Sequence, residues 1–218
     1  MAVSAALRYP KSLWSYNPIP NGCVLYLPLW HPNLRGAKFK SIAPSGTEVT
    51  VNGASRVADG LSFDGTDDNV ILDASILTFS TQASYSLWVK YDTTDTGYLF
   101  SMDGNEISLF HQASASIQVY YDGVARVTGN SPTWSNTWVN LLFTVLVSGT
   151  AYLYADGVEF DNGAMPGTGV TSAAARLGEG TAGTNDWTGT IGEFTSWNRV
   201  LTAAEALYYY NRTKWRFV

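Results

Sequence analysis

The segment "TIGEFTSWNRVLTAAEALYYYN", residues 190–211, carries the signal that decides the fold. Thr202 stands just before a helical pattern, and Glu205 follows it by three positions, which is the spacing of a capping box. The segment therefore predicts a helix over about residues 202–211, no more than about three turns long. No other part of the sequence has a helical pattern.

The rest of the chain alternates between short strand-like runs and tight-turn signals. Of the five Asp-Gly pairs in the sequence, three stand out between such runs, in "YLFSMDGNEISLF" (98–110), "IQVYYDGVARV" (117–127) and "YLYADGVEF" (152–160). Asp-Gly tolerates positive φ and is a strong signal for a β-hairpin. A chain of 218 residues with 45% hydrophobic residues can bury a core of its own. The pattern predicts an all-β fold, an antiparallel β-sandwich with one short C-terminal helix.

Taken in order, these elements resemble a known family. The matching segments are "LSFDGTDDNV" (61–70), "YSLWVK" (85–90), "WVNLLFTV" (138–145), "AYLYADGVEF" (151–160), "RLGEG" (176–180) and the strand-to-helix segment above. Together they are similar to the laminin-G-like, concanavalin A-like jelly-roll domain over roughly residues 24–211. The resemblance implies two curved antiparallel sheets, with a concave face that often carries a carbohydrate groove. The segments "VLYLPLWHPN" and "YNRTKWRFV" are similar to versions in bacteriophage and environmental virus structural proteins.

Basic ends flank an acidic body. Residues 1–56 carry six basic side chains and one acid, residues 57–198 three basic and sixteen acidic ones, and residues 199–218 four basic and one acidic. Three prolines predict an extended N-terminal arm over residues 1–22. We expect a sandwich domain over residues 23–218 that ends in a basic tail, 212–218. The residues expected to anchor the domain to an acidic partner are Arg8, Lys11, Trp14, Arg212, Lys214, Trp215 and Arg216. The acidic body argues against nucleic acid as a ligand.

The sequence has no recognisable catalytic constellation. The resemblance implies that hydrolases of this fold place two glutamates on one strand face, with an aspartate between them. The glutamates outside the predicted helix are Glu48, Glu106, Glu159, Glu179 and Glu193, and no two share a predicted strand. Cys23 lies in an apolar run, which favours a buried thiol over a nucleophile. Zinc-ligand spacing and a nucleophile elbow are also missing. We predict a protein that is not an enzyme.

The acidic stretch "FDGTDDNV", residues 63–70, has two interpretations. Asp64, Asp67 and Asp68 could hold calcium, which binds carboxylate and carbonyl oxygens. They could instead accept hydrogen bonds from backbone amides of a turn, which is the interpretation the pattern favours. The resemblance adds Glu193 as a fourth candidate ligand. Relatives often read "IDE" where this chain reads "IGE", so Gly192 replaces one acid, which weakens a site carried over from them, and Glu193 remains. No cofactor is certain, and calcium is the candidate ion.

Glycan binding requires exposed aromatic rings beside polar groups. The candidates are Tyr98, Tyr120, Tyr121 and Trp134, which lie near predicted hairpins or loops. For each of them, packing in the core is the alternative.

These observations lead to an expected function. We expect a non-enzymatic surface module, a decoration or adhesion protein of a virus particle, that is anchored by its basic termini. Its expected partners are other virion or assembly subunits, in a homo-oligomer, and cell-surface glycans. The alternatives are a free carbohydrate-binding lectin module, with or without calcium, and a glycoside hydrolase with a non-standard site. We see no signal peptide and no apolar run long enough to span a membrane, and expect the protein on a virion surface or outside cells.

Overall fold

The computed structural model describes residues 19–91, 94–103, 106–112, 116–130, 134–180 and 183–218. The predicted arm, with Arg8, Lys11 and Trp14, lies outside these residues apart from positions 19–22. The described residues form β1 (Cys23–Leu27), β2 (Lys38–Lys40), β3 (Glu48–Asn52), β4 (Ser55–Val57), β5 (Gly60–Asp64), β6 (Asn69–Leu72), β7 (Gln82–Lys90), β8 (Gly97–Met102), β9 (Ile107–Gln112), β10 (Ser116–Tyr121), β11 (Val124–Asn130), β12 (Trp138–Leu146), β13 (Thr150–Ala155), β14 (Val158–Ala164), β15 (Ala175–Leu177), β16 (Thr188–Trp197) and the helix α1 (Ala203–Thr213). Single 3₁₀ turns occupy Ala74–Ile76 and Lys214–Arg216.

The strands form two antiparallel sheets that pack face to face. The first sheet has the order β14-β13-β12-β7-β16-β5-β4, and β1 pairs with β16 beyond the end of β5. The second sheet has the order β11-β10-β9-β8-β15-β6-β3-β2. The predicted all-β sandwich with one short C-terminal helix is confirmed.

Alternation along the strands builds a core on each side of the first sheet. Between the sheets, the Tyr85 ring on β7 lies 5.0 Å from both Phe100 and Phe143, measured between ring centroids. The residues of β7 that alternate with Tyr85 point to the other side and pack under α1 and the C-terminal turn. On that side Trp197 and Tyr209 meet edge to face at 5.3 Å. The helix is therefore stabilised by packing on an apolar face of the sheet. An isolated helix of this length would be only marginally stable in water.

Two of the predicted Asp-Gly hairpins have the expected backbone. Asp122 and Gly123 have φ values of 52° and 70°, and Asp156 and Gly157 have 51° and 77°. Two consecutive positive φ values define the type I′ turn that joins adjacent strands. The third Asp-Gly pair, at position 103, begins a turn that lies partly outside the described residues.

The helix starts where the capping box predicts and ends later than expected. Thr202 accepts a hydrogen bond from the Glu205 amide, and the Glu205 carboxylate accepts one from the Thr202 amide. The predicted end at residue 211 is corrected to Thr213. The predicted basic tail is also corrected, because residues 214–216 form a 3₁₀ turn that folds back against the first sheet.

Replacing Glu205 by glutamine is expected to destabilise the protein by about 1 kcal/mol at neutral pH. Hydrogen bonds from Arg199 lower the pKa of Glu205 from 4.5 to about 2. A depressed pKa in the folded state means that the stabilisation is present above pH 4.5 and is lost as the pH falls towards 2. Urea unfolding of both proteins across that window measures this. Glu48→Gln, at an exposed ion pair, is the control; a Glu205 effect that is constant down to pH 2 would contradict the prediction.

Candidate functional site

The carboxylate of Glu193, on β16, is the most deeply buried acid of the first sheet. Its Oε1 accepts a hydrogen bond from the Tyr209 hydroxyl at 2.6 Å. Its Oε2 accepts from the Tyr26 hydroxyl and from the Trp30 indole, both at 3.1 Å. The Arg216 guanidinium lies 2.6 Å from the same Oε2. Strand β1, the loop after it, α1 and the C-terminal turn therefore meet at one carboxylate.

This arrangement corrects the placement of two predicted site residues. Glu193 lies outside the aspartate cluster and holds the C-terminus in place, and the Arg216 side chain, 5% exposed, is not a free anchor. Burial and the charge of Glu193 raise the pKa of Tyr26 and Tyr209 well above 10, so both hydroxyls stay donors. Burial alone would lower the pKa of Arg216, but Glu193 and the two tyrosines together raise it.

The three aspartates of "FDGTDDNV" converge in the turn between β5 and β6. One carboxylate oxygen from each lies within 4.8 Å of the others. Asp68 Oδ2 accepts the Asp64 amide at 2.8 Å, and Asp64 Oδ1 accepts the Thr66 amide at 2.9 Å. Burial raises the pKa of Asp68, an effect that the Asp64 amide partly offsets. These Asx-type bonds fit the amide interpretation better than calcium, which needs about six to eight oxygen ligands. Calcium binding stays an untested prediction.

Asp68→Ala is expected to lower the free energy of unfolding by about 1–3 kcal/mol, because it leaves the Asp64 amide without its acceptor. Asp67→Ala is the matched control, since Asp67 is exposed, and its effect should stay within about 0.5 kcal/mol. Thermal unfolding with millimolar calcium and with chelator measures both. A calcium-dependent rise of the Tm in the original protein that Asp68→Ala abolishes would establish the calcium interpretation instead.

The structure covers the four candidate aromatic residues to different degrees. Tyr121 is 2% exposed and alternates with Ile117 and Val119 into the core between the sheets. Tyr98 is 8% exposed, because the loop before β16 covers part of it. Trp134 is half-buried and packs on an aromatic side chain of β14. Tyr121 therefore follows the packing alternative, and Tyr98 and Trp134 are covered in part.

Tyr120 lies on the outer face of the second sheet, which is turned away from the core. Phe110 on β9 pairs with Gln118 on β10 and with Tyr98 on β8. The Phe110 ring meets Tyr98 and Tyr120 edge to face, at centroid distances of 4.7 and 5.9 Å. The Tyr120 hydroxyl donates to Gln118 Oε1 at 3.0 Å. We call Tyr98, Phe110, Gln118 and Tyr120 the aromatic row; all but Tyr98 are half-buried.

The aromatic row borders a line of mainly polar residues on the same face. Cross-strand pairing connects Tyr120 to Ser108, then to Ser101, Arg176 and Ile71. Ser101 and Ser108 are fully buried and Arg176 pairs with Glu179. The Gln118 amide and the Tyr120 hydroxyl therefore supply the hydrogen-bonding groups beside the rings, and the rings supply the apolar surface that a sugar needs. Phe110 was not among the residues predicted to contact a ligand. Alternation in "ISLF" could have identified it, because Ile107 and Leu109 point inward and Phe110 therefore points outward.

The other predicted anchors lie on the surface of α1 and the turn after it. The Arg212 guanidinium lies 5.4 Å from the centre of the Tyr208 ring, and the Lys214 ammonium 5.1 Å from that of Tyr210. Trp215 is 46% exposed. Their role in anchoring stays a prediction. Among the described residues, no helix has the length and apolar character needed to cross a bilayer.

Acidic side chains meet at two turns. Burial raises the pKa of Glu106, and the charges of Asp103 and Asp122 raise it further. Burial likewise raises the pKa of Asp186, with a contribution from Glu179. The acids around Glu106 and those around Asp186 lie in turns between strands. In hydrolases of this fold, as the resemblance implies, the two carboxylates instead share one face of a strand.

Solved structures of low sequence identity share this fold. A mutant of Trypanosoma rangeli sialidase with trans-sialidase activity superimposes with a TM-score of 0.71 and 16% identity, over 92% of this chain and 34% of that chain. An HCR/D mutant gives 0.70 and 14%, over 89% and 52% of the chains. The binding domain of Paraclostridial Mosquitocidal Protein 1 gives 0.65 and 17%, over 88% and 52%. This chain thus spans about a third to a half of the length of these structures.

The sequence itself also matches a family model. A laminin-G model, described as the concanavalin A-like lectin/glucanases superfamily, matches residues 64–206. No curated protein matches the chain significantly. The matched segment covers more than half of the chain and includes strands of both sheets and the start of α1. The protein belongs to the concanavalin A-like lectin/glucanases superfamily.

Proposed function

We propose that the protein is a non-enzymatic carbohydrate-binding module and that its sugar site is the aromatic row. The observation that carries this proposal is the set of three contacting rings on the outer sheet face, beside the amide of Gln118. The C–H face of a sugar ring packs on such rings, and its hydroxyls bond to the neighbouring polar groups. Because the rings hold one another in place, little side-chain entropy is lost on binding.

Two further points support carbohydrate as the ligand class. Members of the superfamily include lectins, as its description states. Trypanosoma rangeli sialidase, one of the structures with the same fold, is described in complex with sialic acid. The proposal that binding occurs without hydrolysis is supported by the position of the acids, which meet in turns and not as two carboxylates on one strand face.

We also propose that the module is displayed on the surface of a virus particle or a comparable assembly. The resemblance of "VLYLPLWHPN" (24–33) and "YNRTKWRFV" (210–218) to versions in virus structural proteins supports this setting. Anchoring would fall to the N-terminal segment, to the exposed Arg212 and to the half-buried Lys214, since Arg216 is engaged inside the domain.

A glycan array tests the proposed function with the original protein and two variants. We expect binding to a subset of glycans, and Tyr120→Ala should weaken it about tenfold by removing one ring of the row. Tyr208→Ala is the matched control, because Tyr208 is exposed on α1, on the opposite side of the sandwich. Flat binding across the array, or equal binding by Tyr120→Ala, would overturn the proposal. Release of shortened sugar from a bound glycan would overturn its non-enzymatic part.

A further inference from the structure

A second candidate site lies at one edge of the sandwich, where the edge strand β4 meets the loop after β1. It is a pocket of about 450 Å³ lined by Trp30, His31, Arg35, Arg56 and Val57, among others. Strand β4 ends the first sheet and β2 ends the second, whereas β9 and β10 of the aromatic row lie five or more strands from β2. The pocket therefore shares no residue with the aromatic row. Its volume is within the range of small-ligand sites.

The pocket is basic on a protein whose net charge is −5. The Arg35 Nε donates to the Pro32 carbonyl at 2.6 Å, and the Arg56 Nη1 donates to the Leu29 carbonyl at 2.5 Å. Over the ranges that the structure describes, neither guanidinium forms an ion pair with a carboxylate. A guanidinium has five N–H donors, so each arginine keeps donors for a ligand. Burial lowers the pKa of Arg56, and the charge of Arg35 lowers it further, which reflects how close the two cations are.

The walls of the pocket are held in place by contacts from outside it. The Trp30 indole donates to Glu193, and the Arg216 guanidinium lies 4.7 Å from the centre of the Trp30 ring. The His31 ring contacts Trp30 edge to face at 5.3 Å. Arg56 lies 5.4 Å from the centre of the Phe39 ring. These contacts fix the apolar and cationic groups before any ligand arrives, which lowers the entropic cost of binding.

His31 adds a neutral donor to this wall. Its Nδ1 accepts a hydrogen bond from the Asn33 amide at 3.2 Å. A neutral imidazole with Nδ1 as the acceptor carries its proton on Nε2, so it can donate to an anion. Burial lowers the pKa of His31, and the charge of Arg216 lowers it further, which favours this neutral form.

We propose that this pocket binds an oxyanion carried on a sugar ring, either a carboxylate or a sulfate. Within the described part of the chain, the Arg35 and Arg56 guanidinium groups have no carboxylate partner. Each is planar and can donate two or more hydrogen bonds to the oxygens of one anion. The Trp30 indole and Val57, which is 44% exposed, supply apolar surface for the ring that carries the anion. The acidic body of the protein, residues 57–198, would repel an anion from most of the surface, which adds selectivity for this position. The inference does not rest on binding at the aromatic row.

Isothermal titration with four probes tests the chemical class. The probes are methyl glucuronide, methyl glucoside, glucose 6-sulfate and sodium sulfate. We expect the two anionic sugars to bind about tenfold or more tightly than methyl glucoside and than free sulfate. Equal binding of methyl glucoside would overturn the anion requirement. Free sulfate that binds as tightly as glucose 6-sulfate would overturn the sugar requirement.

Two double variants that remove the same charge locate the site. Arg35→Gln with Arg56→Gln should weaken binding of methyl glucuronide at least about tenfold. Lys38→Gln with Lys40→Gln, on the neighbouring strand β2, should leave it within about twofold, because both lysines are exposed and outside the pocket lining. Equal losses in both double variants would show general charge attraction and overturn the proposal. If the arginine double variant does not fold, the single variant Arg35→Gln, at an exposed residue, replaces it, and it should also weaken binding of methyl glucuronide at least about tenfold.

Tyr120→Ala in the same titration separates this inference from the proposed function. Loss of anionic-sugar binding in Tyr120→Ala but not in the arginine variant would overturn the pocket and leave the aromatic row as the sugar site. Loss in the arginine variant alone would support the pocket, whatever the glycan array shows for the aromatic row.

Discussion

Arg216→Ala is expected to lower the free energy of unfolding by about 3–5 kcal/mol, because it leaves the Glu193 carboxylate buried without its positive partner. Glu193 is fully buried, and the bonds from Tyr26, Trp30 and Tyr209 neutralise none of its charge. Equilibrium unfolding in urea, followed by tryptophan fluorescence, measures the loss. The effect is large because the ion pair joins the last residues of the chain to the central strands of the first sheet.

Arg212→Ala is the control for this prediction. Arg212 is an exposed arginine one turn earlier, and its removal should change stability by no more than about 0.5 kcal/mol. Glu193→Gln should also destabilise, and combining it with Arg216→Ala should cost less than the sum of the two single losses, because the two charges interact directly. A loss below about 1 kcal/mol for Arg216→Ala would contradict a folded-back C-terminus.

Trp88→Ala is expected to cost about 3–5 kcal/mol, the range for removing a fully buried large aromatic side chain. Trp88 has no exposed surface and stacks on Phe217 at 4.6 Å and on Tyr210 at 5.7 Å. Its indole donates to the Thr213 hydroxyl at 2.9 Å. The substitution therefore removes the contact surface for α1 and for the C-terminal turn together.

Trp215→Ala removes the same side chain from a position that is about half exposed, and its cost should stay below about 1 kcal/mol. Unfolding in guanidinium chloride compares the two variants. Similar costs at the two positions would contradict the packing of the C-terminal turn on the first sheet. Together, the Arg216 and Trp88 variants measure how much of the stability depends on the packing of α1 and the C-terminal turn against the first sheet.

Local sequence patterns were sufficient for much of the architecture. The capping box at Thr202 and Glu205 located the start of α1 correctly, because both partners lie within one turn of helix. The Asp-Gly pairs at 122 and 156 located hairpins, because a type I′ turn depends on the φ values of two adjacent residues. Strict alternation in "SIQVYY" could also have separated Tyr120 from Tyr121, since inward and outward residues alternate along β10.

Other predictions failed where local patterns are interrupted or where distant segments meet. The register between β8 and β9 shifts next to Tyr98. Alternation along β8 therefore no longer predicts which side chains face the solvent. Glu193 and Arg216 are separated by a strand end, a helix and a turn, and nothing near either residue indicates that they pair.

The sequence by itself determined the class of fold, the site of the helix and the hairpin turns, because periodicity, capping and turn conformation depend on residues a few positions apart. Only the tertiary structure decided what the charged and aromatic side chains do. It buried Arg216 against Glu193, placed Phe110 beside Tyr120, and brought Arg35 and Arg56 to one pocket. Those outcomes depend on which faces of the two sheets are covered by α1 and the loops, and burial sets whether a side chain is held inside the domain or open to a ligand.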